Sequence, residues 1–175
     1  MSDATPTLTT SRFTLRPLRA GDENALFPAF RDAEAMRYWS RGPFADTAEL
    51  RDWLFDTGWD GRTWIAEPAD GGGPVARLVA SPAGEGVAEI GYIVLPGHAR
   101  QGIARECLAA LLTHLFRAEG HGRVFADVDP RNVASNRLLR SLGFTREGHL
   151  RRAMKTHIGW CDNWLWGLLD DEWPD

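Results

Sequence analysis

The stretch Glu89-Ile-Gly-Tyr-Ile-Val-Leu-Pro-Gly-His-Ala-Arg-Gln-Gly-Ile-Ala-Arg105 constrains this chain more than any other. The apolar run over residues 87–95 predicts a strand, halted by Pro96-Gly97. Residues 102–116 then predict a helix, with Leu108, Leu111, Leu112 and Leu115 forming its inward stripe. Residues 123–128 return to a strand. A helix start carries unpaired backbone N–H groups and the positive end of the helix dipole. A turn containing Gly102 and Ala104 lets an anionic ligand approach that backbone closely, and Arg100 and Arg105 add full charges. The segment reads as a cradle for a pyrophosphate, with a plainly capped helix as the alternative. No GxxxxGK[ST] run and no GxGxxG after a strand occur, so the nucleotide P-loop and the dinucleotide fingerprint are excluded.

The rest of the chain predicts one domain of 175 residues, with a loose lead-in before residue 11. Residues 12–16 alternate as a half-buried strand. Asp22 is placed as the N-cap of a helix that Pro28 disturbs, and residues 32–38 as a second short helix. Asp46 caps a further helix, stopped by Gly58. Residues 63–66 and 75–80 read as strands, and residues 81–86 as the turn that follows. Residues 132–142 read as a helix with Leu138, Leu139 and Leu142 inward and Gly143 as its stop. The chain is extended from Phe144, and residues 160–169 form the last strand. The expectation is an α+β fold with one sheet, helices packed on it, and strand–helix–strand units in the middle.

Composition excludes several classes of function. Twenty Lys and Arg against 24 Asp and Glu give a net charge of −4, no footprint for nonspecific nucleic-acid binding. Apolar runs are too short to cross a bilayer, and the polar first ten residues lack the apolar core of a secretory signal. The two cysteines, Cys107 and Cys161, form no CxxC, and none of the five histidines has metal spacing. The expected setting is reduced and cytoplasmic, with no metal, no nucleic acid and no membrane partner. The eight tryptophans suggest an aromatic-lined surface in addition to core positions.

A second segment sharpens the reading. Asp127-Val-Asp-Pro-Arg-Asn-Val-Ala-Ser-Asn136 follows a strand and places Asn132, Ser135 and Asn136 at a helix start. Capping alone would account for them, although Asn132 and Ser135 also share a face. With Glu89-Ile-Gly-Tyr92, Arg100-Gln-Gly-Ile-Ala-Arg105, Asn132-x-x-Ser135-Asn136 and Leu142-Gly-Phe144, the chain resembles the GNAT acyltransferases. Phe13-Thr-Leu-Arg-Pro17 and Trp160-x-Asp162 match the ribosomal-protein N-acetyltransferase (RimJ/RimL-like) branch.

The resemblance implies a three-layer domain, with a mixed, mostly antiparallel sheet, a central splayed strand pair and helices on both faces. It implies acetyl-CoA as acyl donor, with its pantetheine arm along a bulged strand at Tyr92, Ile93, Val94 and Leu95. The pyrophosphate turn maps to Arg100, Gln101, Gly102, Ile103, Ala104 and Arg105, with Ala99 where the family often carries Arg or Gln. Asn132, Ser135 and Asn136 complete the cofactor positions. The acceptor is an amine, either a peptide or protein N-terminus or a small molecule such as an amino acid, polyamine or antibiotic. A sensor that binds acyl-CoA without turnover is the non-enzymatic alternative.

Acetyl transfer to an ammonium first requires its proton to leave, which calls for a carboxylate or a water chain. Glu89 and Asp127 are the candidates. The branch's proposed base maps to Met154, which raises the weight on Glu89. Many members of the family carry a tyrosine in the helix after the Asn motif and this helix has none; the resemblance to the RimL-like branch implies Ser135 as the acid at the departing sulfur, with capping as the alternative. The resemblance implies an acceptor pocket at Tyr38, Trp39 and Phe44, with Glu89, and core packing is the alternative for the three aromatics. Arg146, Arg151, Arg152 and Lys155 are expected on a solvated face, and Cys107 as a small buried residue. The sequence leaves monomer and homodimer both open.

Overall fold

The computed structural model describes residues 5–174. Eight strands form one sheet in the order β1-β2-β3-β4-β5-β6-β8-β7. In chain order the elements are β1 (Leu8–Thr9), β2 (Phe13–Pro17), α1 (Asp22–Phe30), α2 (Thr47–Leu54), β3 (Arg62–Pro68), β4 (Ala76–Gly84), β5 (Val87–Val94), α3 (Ile103–Thr113), β6 (Arg123–Val128), α4 (Val133–Ser141), β7 (Thr145–Thr156) and β8 (Gly159–Leu169). All neighbours are antiparallel except β5 and β6, the two strands that α3 connects. No helix among the described residues is long and apolar enough to cross a membrane.

Strand alternation divides the core into two layers. Trp64 and Ala66 of β3, with Ala88 and Ile90 of β5, point to the face covered by α3 and α4. There they meet Leu108, Leu111, Leu112 and Leu139. Ile65 and Ile93 point the other way, against Leu26 and Phe30 of α1 and Leu50 and Leu54 of α2. The central strands are therefore apolar on both faces, which explains their continuous hydrophobic runs. Cys107 is fully buried in the first layer, and burial pushes its thiol up to about 12. It is an inert packing residue, as the sequence reading expects.

Several local expectations are corrected. Residues 1–4 of the expected lead-in lie outside the described residues, but Leu8–Thr9 forms β1 and pairs with Leu15 and Thr14. Two residues are too few to show a period. Gly21 occupies the cap of α1 at φ +102°, and Asp22 stands one position inside the helix, paired with Arg16 at 2.7 Å. Residues 32–38 make successive turns instead of a helix, with the Asp32 carboxylate accepting from the Ala35 N–H at 2.7 Å. Such local side-chain bonds compete with helix formation. The α3 helix ends at Thr113 and continues as a π-helical turn over His114–Ala118. β4 extends to Gly84, and its irregularity lies between Pro82 and Gly84. The β5 ladder against β4 is regular from Glu89 to Val94, so the expected bulge is absent from β5.

Candidate active site

The site forms where β5 and β6 part. Their parallel ladder joins Val87, Ala88 and Glu89 to Arg123, Val124 and Phe125 and then ends. Beyond it, β5 pairs with β4 alone and β6 with β8 alone, so the β5 edge over residues 90–94 faces a gap. The gap opens a cavity of about 290 Å³ lined from both faces of the sheet: Tyr38 and Trp39 on one, Asn132 and Ser135 on the other.

Glu89 and Asp127 both line this cavity. Glu89 is level with Phe125 across the parallel ladder, so Asp127, two residues on, projects from the same face. Burial raises the pKa of Glu89, and the Asp127 charge raises it further; burial raises that of Asp127 as well. Two carboxylates that hold protons more tightly than usual face one opening.

On the other face, Asn132 caps α4. Its Oδ1 accepts the Ser135 backbone N–H at 3.1 Å, which leaves the Ser135 hydroxyl free for another partner. That partner is the Tyr92 phenol, 2.6 Å away. Burial pushes Tyr92 up to about 12 against the opposing effect of this bond, so the phenol keeps its proton at neutral pH. Tyrosine is thus present at the site after all, supplied by β5 and not by the helix where the family often carries it.

The turn proposed as a cradle leads into α3 where the sequence places the helix start. α3 starts at Gly102, at φ +76°, with no side chain capping its first turn. Arg100 is also in the left-handed region, at φ +60°. Gln101, Gly102 and Arg105 are exposed, whereas the buried Ile103 side chain anchors the turn in the core. Arg12, the residue before β2, fastens the turn. Its two terminal nitrogens donate to the Gln101 carbonyl at 3.2 Å, and its Nε meets Glu106 at 2.7 Å. Burial opposes ionisation of Glu106, but hydrogen bonds from Thr10, Arg12 and Ser11 outweigh it and hold the carboxyl at about 2. Open amides, a Cβ-free cap and flanking arginines fit a diphosphate.

Other candidates fall differently. Ile93 and Leu95 are buried in the second core layer, so only their backbone is available to a ligand. Phe44 is 3% exposed, stacked among Phe30 and Trp53, and does not line the cavity; it is a core residue. The Asn136 amide is turned inward. Its Nδ2 donates to the Asp129, Pro130 and Asn132 carbonyls, and its Oδ1 accepts from the Trp166 indole at 2.8 Å. It ties the β6–α4 turn to β8. Sequence reasoning reached Met154 only as the place of the branch's base and missed the rest of the β7–β8 hairpin's contribution: Thr156, Cys161 and Asn163 line the cavity beside it. No motif marks these three, because β8 reaches the site only by inserting between β6 and β7.

Residues 12–145 match the family model described as an acetyltransferase (GNAT) domain. The chain is 30% identical over 174 residues to the uncharacterized N-acetyltransferase p20 of Bacillus licheniformis, covering 95% of this chain and 98% of that one. It is 29% identical over 84 residues to the ribosomal protein uS5-alanine N-acetyltransferase of Escherichia coli, 48% of this chain and 43% of that protein. The spermidine N-acetyltransferase of Vibrio cholerae, solved with CoA and spermine, has the same fold, with a TM-score of 0.81 at 22% identity and coverage of 93% and 98%. The chain belongs to the GNAT acetyltransferases and is an acyl-CoA-dependent N-acyltransferase.

Proposed function

We propose that the protein acetylates the α-amino group of a peptide or protein N-terminus, with the whole chain acting as one catalytic unit and Glu89 as the base. One observation carries this reading: Glu89 and Asp127 line one side of the cleft between β5 and β6, and the Tyr92–Ser135 pair lines the other. An acetyl-CoA bound with its diphosphate on residues 100–105 supplies an activated thioester carbonyl. Gly102, Ile103 and Ala104 would hold the diphosphate by backbone N–H groups, and the open edge of β5 from Tyr92 to Leu95 would hold the pantetheine arm. Glu89 takes the proton of the acceptor ammonium, a role suited by a pKa that burial raises and the Asp127 charge raises further. Tyr92 and Ser135 keep a proton at the opposite side, where the leaving sulfur needs one. An α-ammonium, with a pKa of about 7.7–8.0, is a far easier acid to deprotonate than a lysine ammonium at about 10.4. The partial likeness to an enzyme named for acetylating an alanine of ribosomal protein uS5 supports a protein acceptor.

The test is the pH dependence of thiol release from acetyl-CoA with N-terminal tetrapeptides. Glu89→Gln is expected to lower kcat/KM about 10²-fold at pH 7 and to lose much less above pH 9, where free amine is abundant. A loss that is the same at every pH would remove Glu89 as the base.

A further inference from the structure

The cleft has a second chamber that the transfer chemistry does not use. Arg77 on β4 stands opposite Ile93 of β5 in the sheet and faces the α1–α2 side. It is 4% exposed, its Nη2 donates to the Thr63 hydroxyl at 3.3 Å, and its Nε has no partner. The other inward-facing arginines of the protein are paired: Arg16 with Asp22 and Glu67, Arg62 with Glu119. Among the described residues no carboxylate pairs with Arg77. Aromatic rings surround it, with its guanidinium carbon 4.9 Å from the Trp53 ring centre and 6.0 Å from those of Phe30 and Trp59. Such contacts favour a cation but leave most of its five N–H donors unspent. Burial lowers its pKa to about 9, still above neutral, so the charge persists.

Arg77 borders a cavity of about 380 Å³ together with Trp39, Trp53, Trp59, Ser81 and Glu89. This chamber shares Trp39, Ser40, Glu89, Ile90 and Gly91 with the active-site cavity, so Glu89 stands at the junction of the two. Asp56 also borders it, but its Oδ1 accepts from the Gly58 N–H at 2.9 Å, and it makes no ion pair with Arg77. A buried charge without a counterion is costly unless a ligand completes it. A planar guanidinium beside a chamber lined by Trp39, Trp53 and Trp59 matches a carboxylate.

We propose that Arg77 receives a carboxylate of the acceptor, so that the substrates are amines with a carboxylate a few bonds from the reacting nitrogen. The proposal rests on the acetyl-transfer reading above. Either of two sources would supply the group: the carboxylate of a free amino acid or dipeptide, or an Asp or Glu side chain close behind a peptide N-terminus. A polyamine is the wrong ligand for this chamber.

The experiment measures thiol release from acetyl-CoA with matched acceptors. Amino acids and dipeptides are compared with their C-terminal amides, and amidated tetrapeptides carrying Asp or Glu at the second position with their Asn or Gln counterparts. The carboxylate member of a pair is expected to have a kcat/KM at least about tenfold higher, the scale of one charge-assisted hydrogen bond. Which series shows the preference identifies the source. Arg77→Met should bring the pairs to parity, and Arg77→Lys should retain part of the difference. If Arg77→Met fails to fold, the wild-type pairs still test whether the acceptor needs a carboxylate, and Arg77→Lys tests whether Arg77 receives it. In parallel, tryptophan fluorescence of the wild type is titrated with N-acetyl amino acids and their amides, a readout that needs no turnover. Tighter binding of the acids, lost in Arg77→Met, supports the carboxylate site even if no amine releases thiol, an outcome that would sink the transfer reading alone. Equal rates and equal binding for acids and amides, or a preference that survives Arg77→Met, would overturn the proposal.

Discussion

At the scale of single residues, the Tyr92–Ser135 contact separates two roles that the sequence presents together. Ser135 takes part in capping α4 through its backbone N–H, which Asn132 accepts, whereas its hydroxyl is spent on Tyr92. Ser135→Ala therefore keeps the cap and removes only the hydroxyl. Its melting temperature should stay close to that of the wild type, since losing the cap itself would cost about 1 kcal/mol. Tyr92→Phe keeps the ring in its packing and removes only the phenol proton. Each variant is expected to lower kcat by about 10- to 100-fold, on the lower side of the range for proton donors, with the KM for acetyl-CoA within about twofold. The double variant should be little worse than either single one, because the two hydroxyls act as one unit. Steady-state kinetics on the four proteins checks this. Additive losses would show that the two hydroxyls act independently, and a KM that rises as far as kcat falls would assign the pair to cofactor binding.

Among elements, the opening of α3 depends on Gly102. A Cβ there would meet only the Arg12 guanidinium at 3.5 Å, an ordinary contact, so space is not the constraint; the φ of +76° is. Gly102→Ala should cost about 1–2 kcal/mol, the penalty of the left-handed region for an L-residue, seen as a lower melting temperature. If the turn shifts to relieve that strain, the amides lose their alignment, and the KM for acetyl-CoA should rise severalfold with kcat largely kept. This cradle was legible in the sequence because strand, turn and helix are local: Gly102, the arginines and the leucine stripe of α3 occur within one short stretch. The parts that escaped notice are non-local. Glu106 fastens Thr10, Ser11 and Arg12 from more than ninety positions away. Phe44 looks like a pocket wall until α1 and α2 close around it, and the Tyr92 side chain joins the site only because α4 brings Ser135 across the gap. Alternation gives the face a side chain occupies, but not which element lies opposite.

For the whole molecule, the same feature that creates the site also makes it costly. Parting β5 from β6 leaves a cleft between two apolar layers, and Glu89 and Asp127 both face it. Burial raises both pKa values, so over a window above the ordinary carboxylate range the folded protein holds more protons than the unfolded chain. Below that range both carboxyls are neutral in either state and the fold has its full stability. As pH rises through the raised values, the carboxylates ionise in a poorly solvated place and stability falls. Asp127→Asn stays neutral at every pH. Its melting temperature should match the wild type in acid, exceed it increasingly as pH rises through that window, and hold a constant advantage above it. Removing the Asp127 charge also removes the like charge that, after burial, helps to raise Glu89, so the acid limb of kcat/KM should move to lower pH while the enzyme becomes more stable. Thermal melts and rate profiles over the same pH series check both effects. A stability gain that does not vary with pH, or an acid limb that stays in place, would show that the two carboxylates titrate independently and that Asp127 does not tune the base.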